Sequence, residues 1–201
     1  MTGACLCFED EAGQNLTPPR SRTWGRRGVS PVVKVNGRSS GWVSIAGMIA
    51  RRAGGRTRWF YRIRVHRPGR RKERKSLSEG DYIGLIDAAH QPLKAPIILI
   101  WDRLNTHVSR NMKEMIATRN RLTAVLLPAH APDLNPVEWA WANLKRRLAD
   151  HAPCTLDRLR DLIRARLKSL QLPTRRSRRL HRRNRPNPRP TTTLTSTRRS
   201  Q

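Results

Sequence analysis

The chain has 201 residues, which is enough for one ordinary domain and a tail. It carries 42 Lys and Arg against 14 Asp and Glu, so its formal net charge is +28 and its isoelectric point is near 11.9. This balance lies outside the range of ordinary globular proteins and indicates a polyanionic partner: DNA, RNA or an anionic membrane surface.

The cysteines and the apolar runs indicate the cellular compartment of the protein. Cys5, Cys7 and Cys154 match no structural zinc spacing, and an odd number of cysteines is a poor disulfide framework. The apolar runs are all far shorter than the ~20 residues of a membrane span, and no signal peptide opens the chain. We therefore expect reduced thiols in a cytoplasmic protein that does not enter a membrane.

The first third of the chain is predicted to form strands. A short, mostly apolar run at residues 4–10 ends in acids, and a loop rich in Pro, Arg and Gly follows it. Further strands are predicted at residues 32–35, 42–50 and 58–66. In the last of these, apolar and basic side chains alternate with a period of two, which is typical of a strand with one buried face and one basic face.

Helices and strands alternate in the rest of the domain. Ser78 is predicted to cap a helix, with Asp81 as its capping-box partner. The continuous apolar run at residues 97–101 is typical of a central strand that is buried on both faces. A helix at 108–119, a second buried strand at 122–127 and helices at about 136–149 and 155–170 complete the domain. This alternation predicts an α/β fold with helices on the faces of a sheet.

The end of the chain differs in composition from the rest. Residues 173–201 hold ten arginines and four prolines, no acid and almost no large apolar side chain. Such a segment cannot bury enough apolar surface to offset the entropy of ordering it. We predict a folded domain at residues 1–172 and a disordered basic tail at residues 173–201.

Three carboxylates are the candidate catalytic and metal-binding residues: Asp10, Asp102 and Glu138. Asp10 and Asp102 each end a predicted strand, and ligands of α/β sheets gather beyond the carboxyl ends of the strands. Neighbouring carboxylates repel each other unless a cation lies between them, and Mg²⁺ prefers hard oxygen ligands. Two metal ions ~3.5–4 Å apart activate an attacking oxygen and stabilise the leaving one.

Each acid also has a structural interpretation. An Asp at the end of a strand often only accepts turn hydrogen bonds. With Asn135 as N-cap and Pro136 at the first helical position, Glu138 takes the third position, where a capping-box acid belongs. On the residues alone the cap is the better interpretation of Glu138. It also lies beside the predicted buried stripe of α-helical residues, which lets it point toward the strand ends; the stripe consists of Val137, Trp141, Leu144 and Leu148.

Ordered motifs resemble the catalytic domain of the mariner-like superfamily, and most closely the bacterial insertion-sequence family 630. Residues 8–13 (Phe-Glu-Asp-Glu-Ala-Gly), 23–28 and 31–33 resemble the opening of that domain. Residues 101–107 (Trp-Asp-Arg-Leu-Asn-Thr-His) resemble its second motif, an Asp followed closely by Asn and His. Residues 127–139 resemble its third motif, in which a Pro-x-Leu-Asn-Pro-x-Glu run carries the last acid.

The resemblance covers roughly residues 4–150 and implies a DDE-type transposase domain with a ribonuclease-H-like fold, a central mixed sheet flanked by helices. The 35 residues between Asp102 and Glu138 fit the family's spacing. It implies that Asp10, Asp102 and Glu138 are catalytic and bind Mg²⁺ or Mn²⁺, as a pair of ions. Glu9 and Glu11 flank the first Asp, but strand alternation sends both to the other face.

Four further residues are candidate accessory residues of this site: Glu11, Asn105, His107 and Asn135. His107 follows Asp102 by five residues, and a hydrogen bond at the start of a helix explains it equally well. Asn135 is expected to shape the loop and to cap the following helix.

The resemblance also implies partners and a location. The partners are DNA, as transposon ends and target DNA, and a second copy of the full transposase in a homodimer. Members of the family carry helix-turn-helix units before the catalytic domain, whereas this chain begins almost at the first catalytic strand. From the resemblance we expect a bacterial cytoplasmic protein that is associated with the nucleoid. We also expect that it lacks the helix-turn-helix units.

Residues 51–75 hold twelve Lys or Arg and one acid, together with three aromatic residues. Beside a catalytic site this composition favours a surface that follows DNA phosphates, without sequence recognition. The alternative is a solvated basic strand and loop. The candidate DNA-binding residues are Arg58, Arg62, Arg64, Arg70, Arg71 and Lys72.

The sequence therefore predicts metal-dependent DNA cleavage and strand transfer. One alternative is another ribonuclease-H-like nuclease, which the Pro-x-Leu-Asn-Pro-x-Glu run disfavours. The other is an inactive remnant that only binds nucleic acid non-specifically; the missing N-terminal units favour it and the three retained acids disfavour it.

Overall fold

The computed structural model describes residues 3–19, 27–28, 41–67, 76–129, 131–149, 151 and 153–171. The predicted strand at 32–35, the predicted tail at 173–201 and the candidate DNA-binding residues Arg70, Arg71 and Lys72 lie outside the described residues. Within them, no helix is both long and apolar enough to cross a membrane.

The described residues form five strands and four α-helices. The strands are β1 (Cys5–Asn15), β2 (Trp42–Arg51), β3 (Arg58–His66), β4 (Ile97–Trp101) and β5 (Leu122–Leu126). The helices are α1 (Glu79–Leu93), α2 (Arg110–Ala117), α3 (Val137–Leu148) and α4 (Leu156–Gln171), and a short 3-10 turn at Pro132–Leu134 precedes α3.

One mixed sheet joins all five strands in the order β3-β2-β1-β4-β5. The pairs β1–β2 and β2–β3 are antiparallel, and the pairs β1–β4 and β4–β5 are parallel. This confirms the central mixed sheet that the sequence predicts.

The sheet has a hydrophobic core on each face. On one face α1 and α2 cover side chains such as Cys7, Met48 and Leu99. On the other face α3 and α4 cover side chains such as Ile45, and the helices contribute Trp141 and Ile163. Helices therefore flank the sheet on both sides, as predicted.

The first strand is longer than predicted. β1 continues five residues beyond Asp10, because β2 pairs with it from Leu6 to Asn15 without a break. The prediction that this strand ends at Asp10 is therefore wrong: the polar residues after Asp10 do not stop a strand that has an antiparallel neighbour along its whole length.

The two parallel strands on the other side are less buried than predicted. In β4, Ile98 and Ile100 are only half-buried, so one face of this strand is not part of a core. In β5, Val125 and Leu126 are 45% and 38% exposed, because β5 is the edge of the sheet. A short apolar run does not by itself distinguish a central strand from an edge strand.

The helix α1 begins as predicted, with Ser78 and Asp81 at its start. The backbone N–H and the hydroxyl of Ser78 donate to the Asp81 carboxylate at 2.9 and 2.7 Å. Arg62 and Arg64 of β3 donate to the same carboxylate at 3.0 and 2.6 Å. The basic face of β3 therefore contacts the start of α1, where one buried acid pairs with both arginines.

These contacts change the interpretation of the basic strand as an open DNA-binding face. Arg62 and Arg64 tie β3 to the start of α1, and Arg58 donates to the Pro92 carbonyl at the end of the same helix at 2.7 Å. All three candidate DNA-binding arginines in the described residues thus have a structural role that the period-two pattern did not reveal.

The substitution Asp81→Ala is expected to lower the free energy of unfolding at neutral pH by about 2–4 kcal/mol, since it removes the helix cap and leaves two arginines without their acid. Burial alone would raise the pKa of Asp81, but the hydrogen bonds from Ser78, Arg64 and Arg62 outweigh burial and hold it well below its usual range. The stabilisation is therefore present at neutral pH and is lost as the pH falls from about 4 toward that depressed pKa.

Urea unfolding of the parent and the variant, near neutral pH and in acid, measures both effects. The matched control is Asp161→Ala, which removes an exposed ion pair with Arg160 on α4 and should cost no more than about 0.5 kcal/mol. Equal losses of unfolding free energy in the two variants would contradict the prediction. So would a loss in Asp81→Ala that is as large in acid as it is at neutral pH.

Candidate active site

Asp10 lies in the middle of β1, where the parallel pairing with β4 ends. Phe8 is paired with Ile100, and β4 ends one residue later. On the other side of the strand, Asp10 remains paired with Gly47 of β2. Asp10 and Asp102 each lie two residues beyond the last parallel pair of β1 and β4. The two acids therefore follow neighbouring strands at the same level of the sheet.

Trp141 of α3 fixes the side chain of Asp10. Its indole N–H donates to Oδ2 of Asp10 at 3.0 Å. The Trp141 ring is buried and packs edge-on against Trp59, with the ring centroids 5.7 Å apart. Gly47 makes room for both rings, because a Cβ at that position would lie 2.5 Å from Trp59 and 2.6 Å from Trp141. The glycine opposite Asp10 therefore lets the tryptophan reach the carboxylate.

Asp102 follows the last residue of β4, and its side chain is 54% exposed. Its Oδ1 accepts hydrogen bonds from the backbone N–H of Leu104 at 3.0 Å and from Nδ1 of His107 at 2.9 Å. The hydrogen bond from His107, and then that from Leu104, lowers the pKa of Asp102. This carboxylate is therefore ionised at neutral pH and is held through one oxygen.

Glu138 lies in the first turn of α3 and is exposed. Its carboxylate makes no hydrogen bond to the described residues, so the capping-box interpretation of Glu138 is wrong. Asn135 supplies the cap instead: its Oδ1 accepts from the Val137 N–H at 3.1 Å. Its Nδ2 donates to the Glu9 carbonyl at 3.0 Å, which fixes the start of α3 beside Asp10.

The charges of Glu138 and Asp102 act on Asp10. The pKa of Asp10 is raised to about 6, first by burial, then by the charge of Glu138 and, more weakly, by that of Asp102. Hydrogen bonds from the Glu11 N–H and from Trp141 oppose this shift without cancelling it. Nearby negative charges therefore disfavour the ionised form of Asp10, and a cation bound at this place would favour it.

The neighbours of Asp10 point to the other face of the sheet, as strand alternation predicts. Glu11 accepts a hydrogen bond from the Tyr82 hydroxyl of α1 at 2.7 Å. Glu9 is 1% exposed, and its Oε2 lies 3.3 Å from Nε2 of His107. Burial, followed by the charges of Asp10, Asp102 and Glu11, raises the pKa of Glu9 well above its usual range.

The chemistry of the three acids fits a divalent cation. Carboxylate oxygens are the hard donors that Mg²⁺ and Mn²⁺ prefer. As the side chains stand, no group of three or more His, Cys, Asp or Glu residues in the described part of the chain is arranged to hold a metal ion. Glu138 is the exposed acid without a hydrogen bond, so turning it toward Asp10 and Asp102 disrupts no contact.

The sequence-predicted accessory residues have different positions. His107 is buried against Asp102, and Asn135 ties α3 to β1. Glu11 contacts Tyr82 on the face opposite to Asp10, and Asn105 is exposed in the loop after β4. Trp141 and Gly47 could not be recognised as parts of the site from the sequence, because their roles depend on a contact between residues 131 positions apart.

The order of the strands, the flanking helices and the acids at the end of the parallel pairing define a ribonuclease-H-like domain. The sequence profile of the DDE superfamily endonuclease family matches residues 5–160, which include all three acids. The chain therefore belongs to the DDE superfamily endonuclease family. A comparison with curated protein sequences gives no significant match.

Solved structures of Mos1 transposase have the same fold. A Mos1 transposase paired-end complex with the left transposon end is 16% identical, with a TM-score of 0.58, over 82% of this chain and 48% of that one. The Mos1 strand transfer complex is 15% identical, with a TM-score of 0.55, over 82% and 47%. A mariner Mos1 paired-end complex with Mg is 17% identical, with a TM-score of 0.58, over 82% and 48%. The chain thus spans about half the length of these proteins.

Proposed function

We propose that this chain is the catalytic domain of a DNA transposase, which cuts DNA and joins the cut end to a target by metal-dependent phosphoryl transfer. The observation that carries the proposal is the placement of the three acids: Asp10 and Asp102 lie two residues beyond the last parallel pair of β1 and β4, and Glu138 lies in the first turn of α3, whose start Asn135 ties to β1. Membership of the DDE endonuclease family and the fold shared with Mos1 transposase support it.

We infer that Asp10, Asp102 and Glu138 hold the metal, as two Mg²⁺ or Mn²⁺ ions. Bound metal supplies a nucleophilic oxygen at neutral pH and neutralises charge on the phosphate and the leaving oxygen. Trp141 and His107 orient two of the carboxylates before the metal arrives, and Asn135 positions the helix that carries the third. The solved Mos1 complexes that contain Mg or Mn support this choice of ion.

The partners in this proposal are transposon ends and target DNA. Glu138 begins a row along the exposed side of α3 that continues to Lys145 and Arg146 two turns later, since residues four and seven or eight apart share a helix face. DNA phosphates that follow this row lead to Glu138 at the start of α3. We place the DNA there, rather than on the basic face of β3, which packs on α1.

Transposition requires that the protein reach chromosomal DNA. We accordingly place it in the bacterial cytoplasm, associated with the nucleoid and working as a homodimer. The Mos1 transposase paired-end complex with the left transposon end supports DNA ends as its partner.

A cleavage assay tests the function. The full chain is incubated with supercoiled plasmid and a short duplex, with no metal, Ca²⁺, Mg²⁺ or Mn²⁺, and nicks and joined products are counted. Cleavage that requires Mg²⁺ or Mn²⁺ supports the proposal. An inactive remnant binds DNA under all these conditions and cuts it under none. A parallel reaction with an RNA–DNA hybrid identifies a nuclease of another kind, which cuts the hybrid as well.

Binding to DNA is expected to fall steeply with salt and to depend on α3. With six to ten phosphate contacts, affinity falls ~10³–10⁵-fold between about 50 and 200 mM salt. Replacing Lys145 and Arg146 with Ala should lower the slope of log affinity against log salt by roughly 2, since each lost contact removes ~0.9. Fluorescence anisotropy with a random duplex measures both slopes.

The matched control replaces Arg110 and Lys113 of α2, two exposed cations on the opposite face of the sheet. This control should keep the parental slope. If both double variants lower it equally, the DNA does not follow α3. Removing residues 173–201 should lower the slope without creating sequence preference, and strong preference for a transposon end would contradict the expectation that these cations follow phosphates without reading sequence.

A further inference from the structure

A buried histidine lies beneath the candidate active site. The side chain of His107 is 1% exposed. Its ring stacks on Trp101, with centroids 4.3 Å apart and an interplanar angle of 6°, and meets Tyr82 edge-on at 4.6 Å and 85°. These two contacts fix both the plane and the tilt of the imidazole ring.

The two nitrogens of this ring face two different carboxylates. Nδ1 lies 2.9 Å from Oδ1 of Asp102. Nε2 lies 3.3 Å from Oε2 of Glu9, within ion-pair distance but without hydrogen-bond alignment. An ionised Asp102 has only acceptor atoms, so Nδ1 carries a proton in this contact. The ring therefore connects a buried acid to an exposed one.

Glu9 is unusual because it is buried without a hydrogen-bond partner. Among the described residues, neither of its carboxylate oxygens has one, and neither does Nε2 of His107. A buried polar group without such a bond is destabilising, and native proteins rarely keep one without a function. Nε2 of His107 lies within ion-pair distance of Glu9. We therefore expect Glu9 to influence the site through the imidazole ring of His107.

We propose that His107, supported from behind by Glu9, is a positioning residue that orients the carboxylate of Asp102 for the metal. Asp102 lies just past the end of β4 and is half-exposed, so little else restrains its side chain. The Leu104 N–H and His107 both bind Oδ1, which leaves Oδ2 for the metal. Partners of this kind orient metal-binding carboxylates in other proteins. The proposal rests on the proposed function.

A purely structural role of His107 makes a different prediction. In that case its loss loosens the turn at residues 103–109 and lowers stability, and any change in metal binding follows that loss of stability. In a positioning role, metal affinity changes even where the fold is retained, and a side chain that restores only the donor to Asp102 restores the affinity.

The experiment measures Mn²⁺ binding to the full chain from the electron paramagnetic resonance signal of free Mn²⁺, beside thermal unfolding in metal-free buffer. His107→Phe keeps an aromatic ring between Trp101 and Tyr82 but removes both nitrogens, and should weaken Mn²⁺ binding ~10–100-fold. His107→Asn places an amide N–H near the position of Nδ1 and should recover most of the affinity. Glu9→Leu should weaken binding in the same direction as His107→Phe, but less.

The matched control is His66→Phe. His66 is also buried, makes one hydrogen bond, to Ser44 at 3.1 Å, and has an aromatic neighbour, yet it contacts none of the three acids. Its Mn²⁺ affinity should equal that of the parent. If His107→Phe does not fold, Glu9→Leu and His107→Asn still decide the question.

Parental Mn²⁺ affinity in a folded His107→Phe, or equal weakening in His107→Phe and His107→Asn, overturns the positioning role and leaves the proposed function intact. A parent that binds Mn²⁺ but cuts no DNA with any metal overturns the proposed function instead, while the binding series still decides the role of His107.

Discussion

Asp102→Asn is expected to abolish metal-dependent cleavage while leaving the affinity for duplex DNA unchanged. The amide keeps the size of the side chain but loses the negative charge that attracts a divalent cation. Loss of metal-derived stabilisation worth several kcal/mol corresponds to a fall in cleavage rate of roughly 10³-fold or more. The phosphate contacts come from cations elsewhere, so binding is retained.

Single-turnover cleavage in Mg²⁺, beside anisotropy titrations in Ca²⁺, measures the two quantities separately. Asp133→Asn is the matched control: this acid is exposed in the 3-10 turn before α3, and the same change there should leave cleavage at the parental rate. Near-parental cleavage by Asp102→Asn would remove Asp102 from the metal site, and a matching loss of DNA affinity would show that the charge change acts through binding.

Gly47→Ala is expected to damage both the fold and the site. The new Cβ would lie 2.5 Å from Trp59 and 2.6 Å from Trp141, and both contacts are with ring atoms of buried side chains that cannot move aside. Overpacking of this kind costs about 1–3 kcal/mol. The movement of Trp141 also withdraws its N–H from Asp10, and the loss of a hydrogen bond to a charged group is worth ~1.5–3 kcal/mol.

Urea unfolding and single-turnover cleavage of Gly47→Ala test this pair of effects. Gly13→Ala is the matched control in the neighbouring strand, because nothing lies within 4 Å of a Cβ at that position. Trp141→Phe separates the effects: it removes the N–H with little overpacking and should reduce cleavage ~10-fold or more through the lost hydrogen bond. A stable, fully active Gly47→Ala would show that the tryptophans have more room than the structure gives them.

Much of the fold could be predicted from local pattern. Ser78 and Asp81 predicted the start of α1 because a capping box is a contact within four residues. The bounds of β3 followed from the period of its side chains. Two of the wrong predictions concern strand neighbours: the length of β1 is set by β2, and the exposure of β5 is set by its place at the edge of the sheet.

The candidate site was predicted only in part, for the same reason. The three acids could be identified from motifs that are local in sequence. Trp141 could be identified only as a member of a buried stripe, because nothing near it in the chain indicates that its N–H reaches Asp10. The contacts of Arg62 and Arg64 in β3 could not be predicted, because their partner, Asp81, lies in another element.

The position of α3 has a consequence for the newly made protein. A ribosome releases Asp10 first, and Trp141, which holds it, comes 131 residues later, on the same short helix as Glu138. At synthesis rates of ~5–20 residues per second, this delay is roughly 7–26 seconds. For most of that time the nascent chain carries only the first of the three candidate acids, since Asp102 follows Asp10 by 92 residues and precedes Glu138 by 36. The third candidate acid and the side chain that holds the first therefore reach the domain together, near the end of its synthesis.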